Sequence, residues 1–266
     1  MKEVREKLGK ILEKHGSYEK VKGKVEGFIG KISKIEEGAK EAAKGATDND
    51  VIGGATKDGG QDPAPADSES VKALVKGIKD IVGVVLGENE GNAEASKTGE
   101  NDKKDIGKLF EKKDSGTDAE SAKASASIGA VSGADILKAI AKSKEDPKVN
   151  DTDGINAATD AAEIAVAPAK DDNKEIKEAT AKKDAVIAGG IALRAMGKNG
   201  RFAVKAEAKS VDAVNGVAAS AVNKTLSTLI IAIRNAVDSG LKKINETLAT
   251  IKQEDKAAET VSGQQS

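Results

Sequence analysis

The chain has 266 residues, enough to bury a substantial core, and its 43 Lys and Arg almost cancel its 44 Asp and Glu. That balance leaves no global field to draw nucleic acid or an anionic membrane, and with three Phe, one Tyr and no Trp the chain lacks base-stacking platforms. With no cysteine, disulfides, thiolate metal sites and cysteine nucleophiles are excluded, while Ala, Val, Ile and Leu interleaved with Lys and Glu favour an all-α protein with almost no sheet.

From the N-terminus, Val4, Leu8, Ile11, His15 and Tyr18 recur at spacings of four and three, which is one helix face. After "HGS" the seam restarts a residue early as Tyr18, Val21, Val25, Phe28, Ile32, Ile35, Ala39 and Ala42. A break at Gly16 and Ser17, then a helix of about seven turns, is expected. Residues 45–68, rich in Gly, Asp and Pro, read as a loop, with Ser68 or Ser70 capping a helix carried by Val71, Leu74, Val75, Ile78, Ile81, Val82 and Val85.

Residues 87–105, "GENEGNAEASKTGENDKKD", read as a second polar loop, followed by a short segment around Ile106, Leu109 and Phe110 and a loop at 111–118. A helix is expected from about Ala119 through Ala141, then a loop near 146–154 and a segment broken by Pro168. Asp171 or Asp172 is expected to open a helix through Ile176, Val186, Ile187, Leu193 and Met196, stopped by "GKNG". The last long pattern runs from Val204 to Ile251 as one helix or two, and residues 257–266 are expected to fray. The fold class expected is an elongated helical bundle over residues 1–256, with long paired N- and C-terminal helices at one end and shorter helices joined by polar loops at the other.

The least polar stretch, "AVIAGGIALRAMGKNGRFAVK" at 185–205, has only nine uncharged residues before Arg194, too few to span a bilayer, and no other run approaches the roughly 20 apolar residues that a span needs. "GKNG" lacks the spacing of a phosphate loop. Apolar residues on every side of a short helix imply burial on every side, with Gly189 and Gly190 allowing close approach of neighbours and Arg194 and Arg201 pairing locally.

Metal and catalytic readings fail residue by residue. Aligning Gly154 of "NDTDG" with the glycine of a calcium loop puts Val149 at the first ligand position and Asp160 at the last, so an Asp-rich turn is the simpler reading; "DNDVIGG" at 48–54 fails at Ile52. His15 is the only histidine and continues the Leu8 and Ile11 seam, which suits packing or a helix end. No nucleophile elbow or zinc-protease motif occurs. No catalytic, cofactor-binding or metal-binding residue is assigned, no cofactor is expected, and an enzyme ranks last among the readings.

The segment "KKDAVIAGGIALRAMGKNGRFAVK" (182–205) closely resembles the invariable segment of the variable major proteins of relapsing-fever spirochaetes, in particular the variable large proteins, and of the related VlsE lipoproteins of Lyme spirochaetes. "VKGIKDIVGVVLGE", "GADILKAIAKS" and "VNKTLSTLIIAIRNAVDSGLKKINETL" resemble the same family, so the likeness covers at least residues 71–256. The resemblance implies an all-helical lipoprotein exposed at the cell surface, tethered to the outer membrane by an N-terminal lipidated cysteine, and serving antigenic variation and immune evasion. These residues hold no cysteine and no hydrophobic leader, so the anchor is expected upstream of Met1. Host antibodies are the partners implied, with a host serum or matrix protein under an alternative adhesin reading. No nucleic-acid partner is expected, and a homodimer through exposed parts of the Tyr18 to Ala42 seam is left open.

Overall fold

In the computed structural model the first seam breaks where glycine and serine interrupt it. Helix α1 (Lys2–His15) ends with the Gly16 N–H donating to the Leu12 carbonyl at 2.8 Å, and α2 (Glu19–Gly45) begins three residues later. Residues 1–46, 55, 60–172 and 174–262 are described, with side chains as far as Ile251. They form α3 (Ser68–Val85), α4 (Glu100–Asp105), α5 (Asp118–Ala130), α6 (Gly133–Lys142), α7 (Ala161–Val166), α8 (Asp184–Met196) and α9 (Ala208–Ser262), with 3-10 turns at Ile106–Phe110, Lys113–Ser115 and Gly154–Ala157. The protein is all-α, a helical bundle with no sheet among the described residues, as the composition implied. The "DNDVIGG" stretch, and the side chains of the tail expected to fray, lie outside what is described.

Two compact units emerge. The first comprises residues 1–36 and 232–266, where the end helices pair through their seams. Leu8, Val21, Val25, Phe28 and Ile32 are buried with Ile244 and Ile251, and Ile11, Tyr18 and Leu248 pack around them. Arg5 closes the edge, pairing with Glu36 at 3.1 Å.

The second unit, residues 37–231, is organised around α8, which packs against α3, α5, α6 and α7. Small residues set the spacing. A Cβ on Gly190 would lie 2.4 Å from the Ile164 side chain, and one on Gly189 would lie 3.1 Å from Ala161 and Ile140, so the paired glycines admit neighbouring helices as expected. The chain after α8 is extended: Gln61 and Val204 exchange backbone hydrogen bonds at 2.8 and 2.9 Å, as do Ala64 and Arg201 at 3.2 and 2.9 Å. Ala203 N–H and Lys205 N–H donate to Leu109 and Gly116 on the other side. "RFAVK" is thus a threaded β-like segment with Phe202, Ala203 and Val204 buried, and not a continuation of helix.

Five expectations are corrected. The cap of α3 is Asp67, whose carboxylate accepts the Ser70 N–H at 2.8 Å, while the Ser70 hydroxyl is buried against the Gly45 carbonyl. The loop begun at Gly87 ends at Gly99, because Glu100 and Asp102 in the first turn and Lys103 and Lys104 in the last suit the dipole of a short helix. The helix expected over 119–141 is two helices meeting at 97°, since Ser132 and Asp135 form a reciprocal capping box that starts α6 afresh. No helix opens at Asp171 or Asp172: between 171 and 183 only Ile176 and Ala181 are buried among the described residues, too little apolar face to hold a helix, and α8 starts at Asp184. Finally, α9 contains an 18-residue window of mean hydropathy 1.4, enough by length and composition for a membrane span, although 39% of it is buried within the protein. Asn, Ser and Thr interrupt this run, so no uninterrupted apolar stretch marks it in the sequence.

Candidate functional site

Every residue of α8 is buried, including both of its charged ends. At the N-terminus Asp184 is fully enclosed and accepts hydrogen bonds from the Lys97 N–H, the Thr98 N–H at 2.8 Å, the Thr98 hydroxyl and the Ser127 hydroxyl at 2.7 Å. Burial pushes its carboxyl upward, but those four donors outweigh it and hold the group below the ordinary carboxylate value. One carboxylate therefore fixes the 96–98 loop to α5 and α8.

At the other end Arg194 is also fully buried, with no carboxylate paired to it among the described residues. Its Nε donates to the Arg201 carbonyl at 2.8 Å, and one terminal nitrogen donates to Ala167 at 2.9 Å and Ala165 at 3.3 Å. The latter carbonyls lie at the C-terminal end of α7, where unsatisfied C=O groups favour a cation. The guanidinium also sits 4.9 Å from the centre of the Phe110 ring and 5.9 Å from that of Phe202. Burial lowers its pKa to about 9, which leaves it charged at neutral pH. The expected local pairing of Arg194 is thus made to backbone carbonyls, whereas the Arg201 side chain is exposed.

The same logic recurs around the unit: buried or anchored scaffold oxygens capture loop N–H groups. Asp135 accepts the Asn92 N–H at 2.6 Å, Glu111 accepts Asp172 at 3.2 Å and Asn156 accepts Glu175 at 3.1 Å, while an exposed loop acid, Asp62, accepts Lys113 at 3.2 Å. Glu163, buried on α7, takes the Thr159 N–H and hydroxyl and the Lys144 ammonium at 2.6 Å. Burial works against its charge, but those donors prevail and its pKa falls below the usual carboxylate value. In the 87–99 loop only Ala93 and Ala95 are buried, while Glu88, Asn89, Glu90, Glu94 and Lys97 face solvent. The backbone is pinned at Asn92, Lys97 and Thr98, while the side chains of Glu88, Asn89 and Lys97 are exposed.

The motifs weighed for catalysis resolve as structure. "NDTDG" is a turn in which the Asn150 side chain accepts the Thr152 N–H at 2.8 Å and donates to Asp153 at 3.0 Å, with Gly154 at a positive φ of 52°. His15 sits half-buried in the last turn of α1. A surface cleft of about 460 Å³ lies over Ala93, Ala139 and Val186. The acid at its rim, Asp160, caps α7 through the Glu163 N–H at 2.9 Å and accepts the Lys144 N–H at 3.2 Å, so both its oxygens serve the fold. Burial raises its pKa. Among the described residues no group of three or more His, Cys, Asp or Glu is placed to hold a metal ion. Sequence reasoning missed the hub at Asp184 and the exposure of Asp171, Asp172, Lys174, Lys177 and Glu178; the hub's only signal was an acid on the edge of an otherwise apolar helix.

Fold and surface together define a helical carrier of backbone-anchored polar loops. The chain belongs to the Borrelia lipoprotein family, whose sequence model matches residues 1–248. It is 60% identical over 264 residues to Variable large protein 4 of Borrelia hermsii, spanning 97% of this chain and 74% of that protein. Variable large protein 17 of the same organism is 59% identical, spanning 100% of this chain and 77% of its own length. Among solved structures, the Lyme disease variable surface antigen VlsE of Borrelia burgdorferi superposes with a TM-score of 0.70 at 34% identity, covering 92% of this chain and 91% of that one. The resemblance read from residues 182–205 is therefore correct, and the family is one of cell-surface antigen lipoproteins and not of enzymes.

Proposed function

We propose that this chain is an antigenically variable lipoprotein of the outer membrane, anchored by a lipid attached outside the residues described, and that it serves immune evasion by presenting loops whose side chains can change. The observation that carries this reading is the capture of loop N–H groups by oxygens of buried or helix-borne side chains at Glu111, Asp135, Asn156, Glu163 and Asp184. A backbone hydrogen bond does not depend on the donor's side chain, so loop conformation survives substitutions that replace an epitope. Substitutions at exposed positions cost little stability, whereas α8, buried on all sides, tolerates few. Constancy of the centre and freedom of the loops then follow from the same packing.

The test uses an antibody raised against residues 87–105 on intact cells expressing the full-length protein. Binding without permeabilisation is expected. Binding only after permeabilisation would place these loops inside the cell envelope and end the reading.

A further inference from the structure

The inner side of α9 within the second unit is fully occupied: Val214, Val217, Ala218, Ala221, Val222, Thr225 and Leu229 are buried, and Thr228 lies against Gly133. Its outer side is unlike the rest of the surface. One third of the chain is charged, yet from Ala213 to Ile233 the only charged residue is Lys224, whose ammonium is turned inward onto the Ile128 carbonyl at 2.8 Å. The face left outside carries Ser220, Asn223 and Ser227 along its middle, flanked by Leu226, Ile230 and Ile231. At 3.6 residues per turn these six fall within one arc of about 140°. The three aliphatic side chains are exposed by 39, 50 and 55%, and no other large apolar residue of this unit is as exposed among those described.

We infer that this face of α9, from Ser220 to Ile231, is a self-association surface whose partner is the same face on a second copy of the chain. Charge complementarity decides the occupant. In a two-fold interface each patch meets itself, so any net charge would be repelled by its own copy; an uncharged patch is the kind that tolerates self-pairing. Ser220 and Asn223 can each donate and accept, and Ser227, whose hydroxyl donates to the Asn223 carbonyl of its own helix, can still accept, so the central row can hydrogen-bond to its own copy in either direction. Short side chains along the middle let the two helix backbones approach, and the flanking Leu and Ile fill the grooves on either side. The nearest exposed charge on this side is Arg234, one turn beyond Ile230, so a charged host protein finds no ion-pair partner between Ser220 and Ile231 themselves. Hydrocarbon is also a poor match, because the middle of the face would bury the Asn223 side-chain amide, with its two donors and an acceptor, away from water. The Tyr18 to Val25 part of the N-terminal seam, left open for dimerisation by the sequence, is already used within the first unit by Ile244 and Ile251.

The face is small, so the contact is a weak one, with a dissociation constant on the order of tens of micromolar. Sedimentation equilibrium of the full chain up to about 1 mM, a concentration at which even a millimolar contact shows, should reveal a monomer–dimer equilibrium. Added salt should not weaken it, since the contact from Ser220 to Ile231 contains no ion pair. Ile230→Lys with Ile231→Lys should raise the dissociation constant at least about tenfold, with an unchanged circular dichroism spectrum because both side chains are exposed. The chain has no cysteine of its own, so Ser220→Cys, Asn223→Cys and Ser227→Cys report directly: at least one should cross-link into a disulfide dimer on oxidation, well above exposed Ser125→Cys on α5. A monomer throughout, or a dimer untouched by the paired lysines, overturns the proposal. So does flotation of the chain with phosphatidylcholine vesicles that the paired lysines abolish, which would give the face to lipid.

Discussion

The paired end helices and the α7–α8 centre are both helix on helix, but they are held in different ways. In the first unit the contacts are a single aliphatic seam, Leu8 to Ile32 against Ile244 and Ile251, with charges outside. In the second, α8 is enclosed on every side and its two polar ends, Asp184 and Arg194, are buried and bonded mostly to backbone. A seam of similar aliphatic residues is redundant, since any one contact resembles its neighbours. A buried hub is not, because removing one acceptor strands several donors at once. The centre should therefore be the more brittle region, and the more uniquely defined.

The largest effect should come from Asp184→Ala. It leaves two loop N–H groups and two hydroxyls without an acceptor, and at about 1 to 3 kcal/mol per stranded donor, less relaxation, a loss of about 4 kcal/mol in urea unfolding is expected. The pH dependence fixes the sign. Because the folded pKa of Asp184 is lowered, its contribution is fully present above the unfolded value of about 3.9 and disappears as pH falls through the folded value. The gap between wild type and Asp184→Ala should thus be constant near neutrality and close below about pH 4. A gap that persists at low pH would mean the site acts through packing and not through the charged acceptor. The same enclosure predicts that an antibody to 185–205 binds denatured protein far better than native protein; equal binding would contradict the burial of α8.

Periodicity made the outer helices legible because their faces are one-sided: α1, α2, α3 and α9 bury one stripe and show another. It failed where a capping interaction overrides it. "VSGAD" continues an apolar pattern across Val131, yet Ser132 and Asp135 stop one helix and begin the next, and the serine three residues before an acid was the available signal. It failed again at 171–183, where Ile176 matches the α8 spacing although nine residues of mostly polar sequence separate it from Val186. The burial of 185–196 could be read from composition alone. The role of Arg194 could not, because its partners are carbonyls at 165 and 167 and a ring at 110, and nothing in local sequence announces a backbone acceptor. The loops were recognised as polar; that their backbones are pinned by distant acids is a tertiary fact.

In the first unit the effect should be smaller and set by two opposing terms. A Cβ on Gly240 would lie 2.1 Å from the Phe28 ring, so α9 depends on glycine to seat that ring. Gly240→Ala gains about 0.5 to 1 kcal/mol of helix propensity and loses about 1 to 3 kcal/mol to overpacking. A net destabilisation of about 1 kcal/mol is expected, rescued by Phe28→Leu in the same chain, which shortens the ring out of the way. If Gly240→Ala instead stabilises the protein, Phe28 has room to rotate and the seam is looser than it looks.

The smallest effects should fall in the 87–99 loop, where adjacent positions separate the two roles. Glu88 and Asn89 face solvent, and the Lys97 side chain does too, although its N–H is bound by Asp184. Glu88→Lys, Asn89→Ala and Lys97→Glu should each change stability by no more than about 0.5 kcal/mol. Together they should abolish binding of an antibody raised against this loop. Thr98 is next in the chain, but its hydroxyl is spent on Asp184, so Thr98→Val should cost about 1 to 2 kcal/mol. If Lys97→Glu proved as costly as Thr98→Val, side chains and not captured N–H groups would define the loop. Changing the epitope would then change the fold beneath it, and a scaffold of this kind could not vary its surface freely.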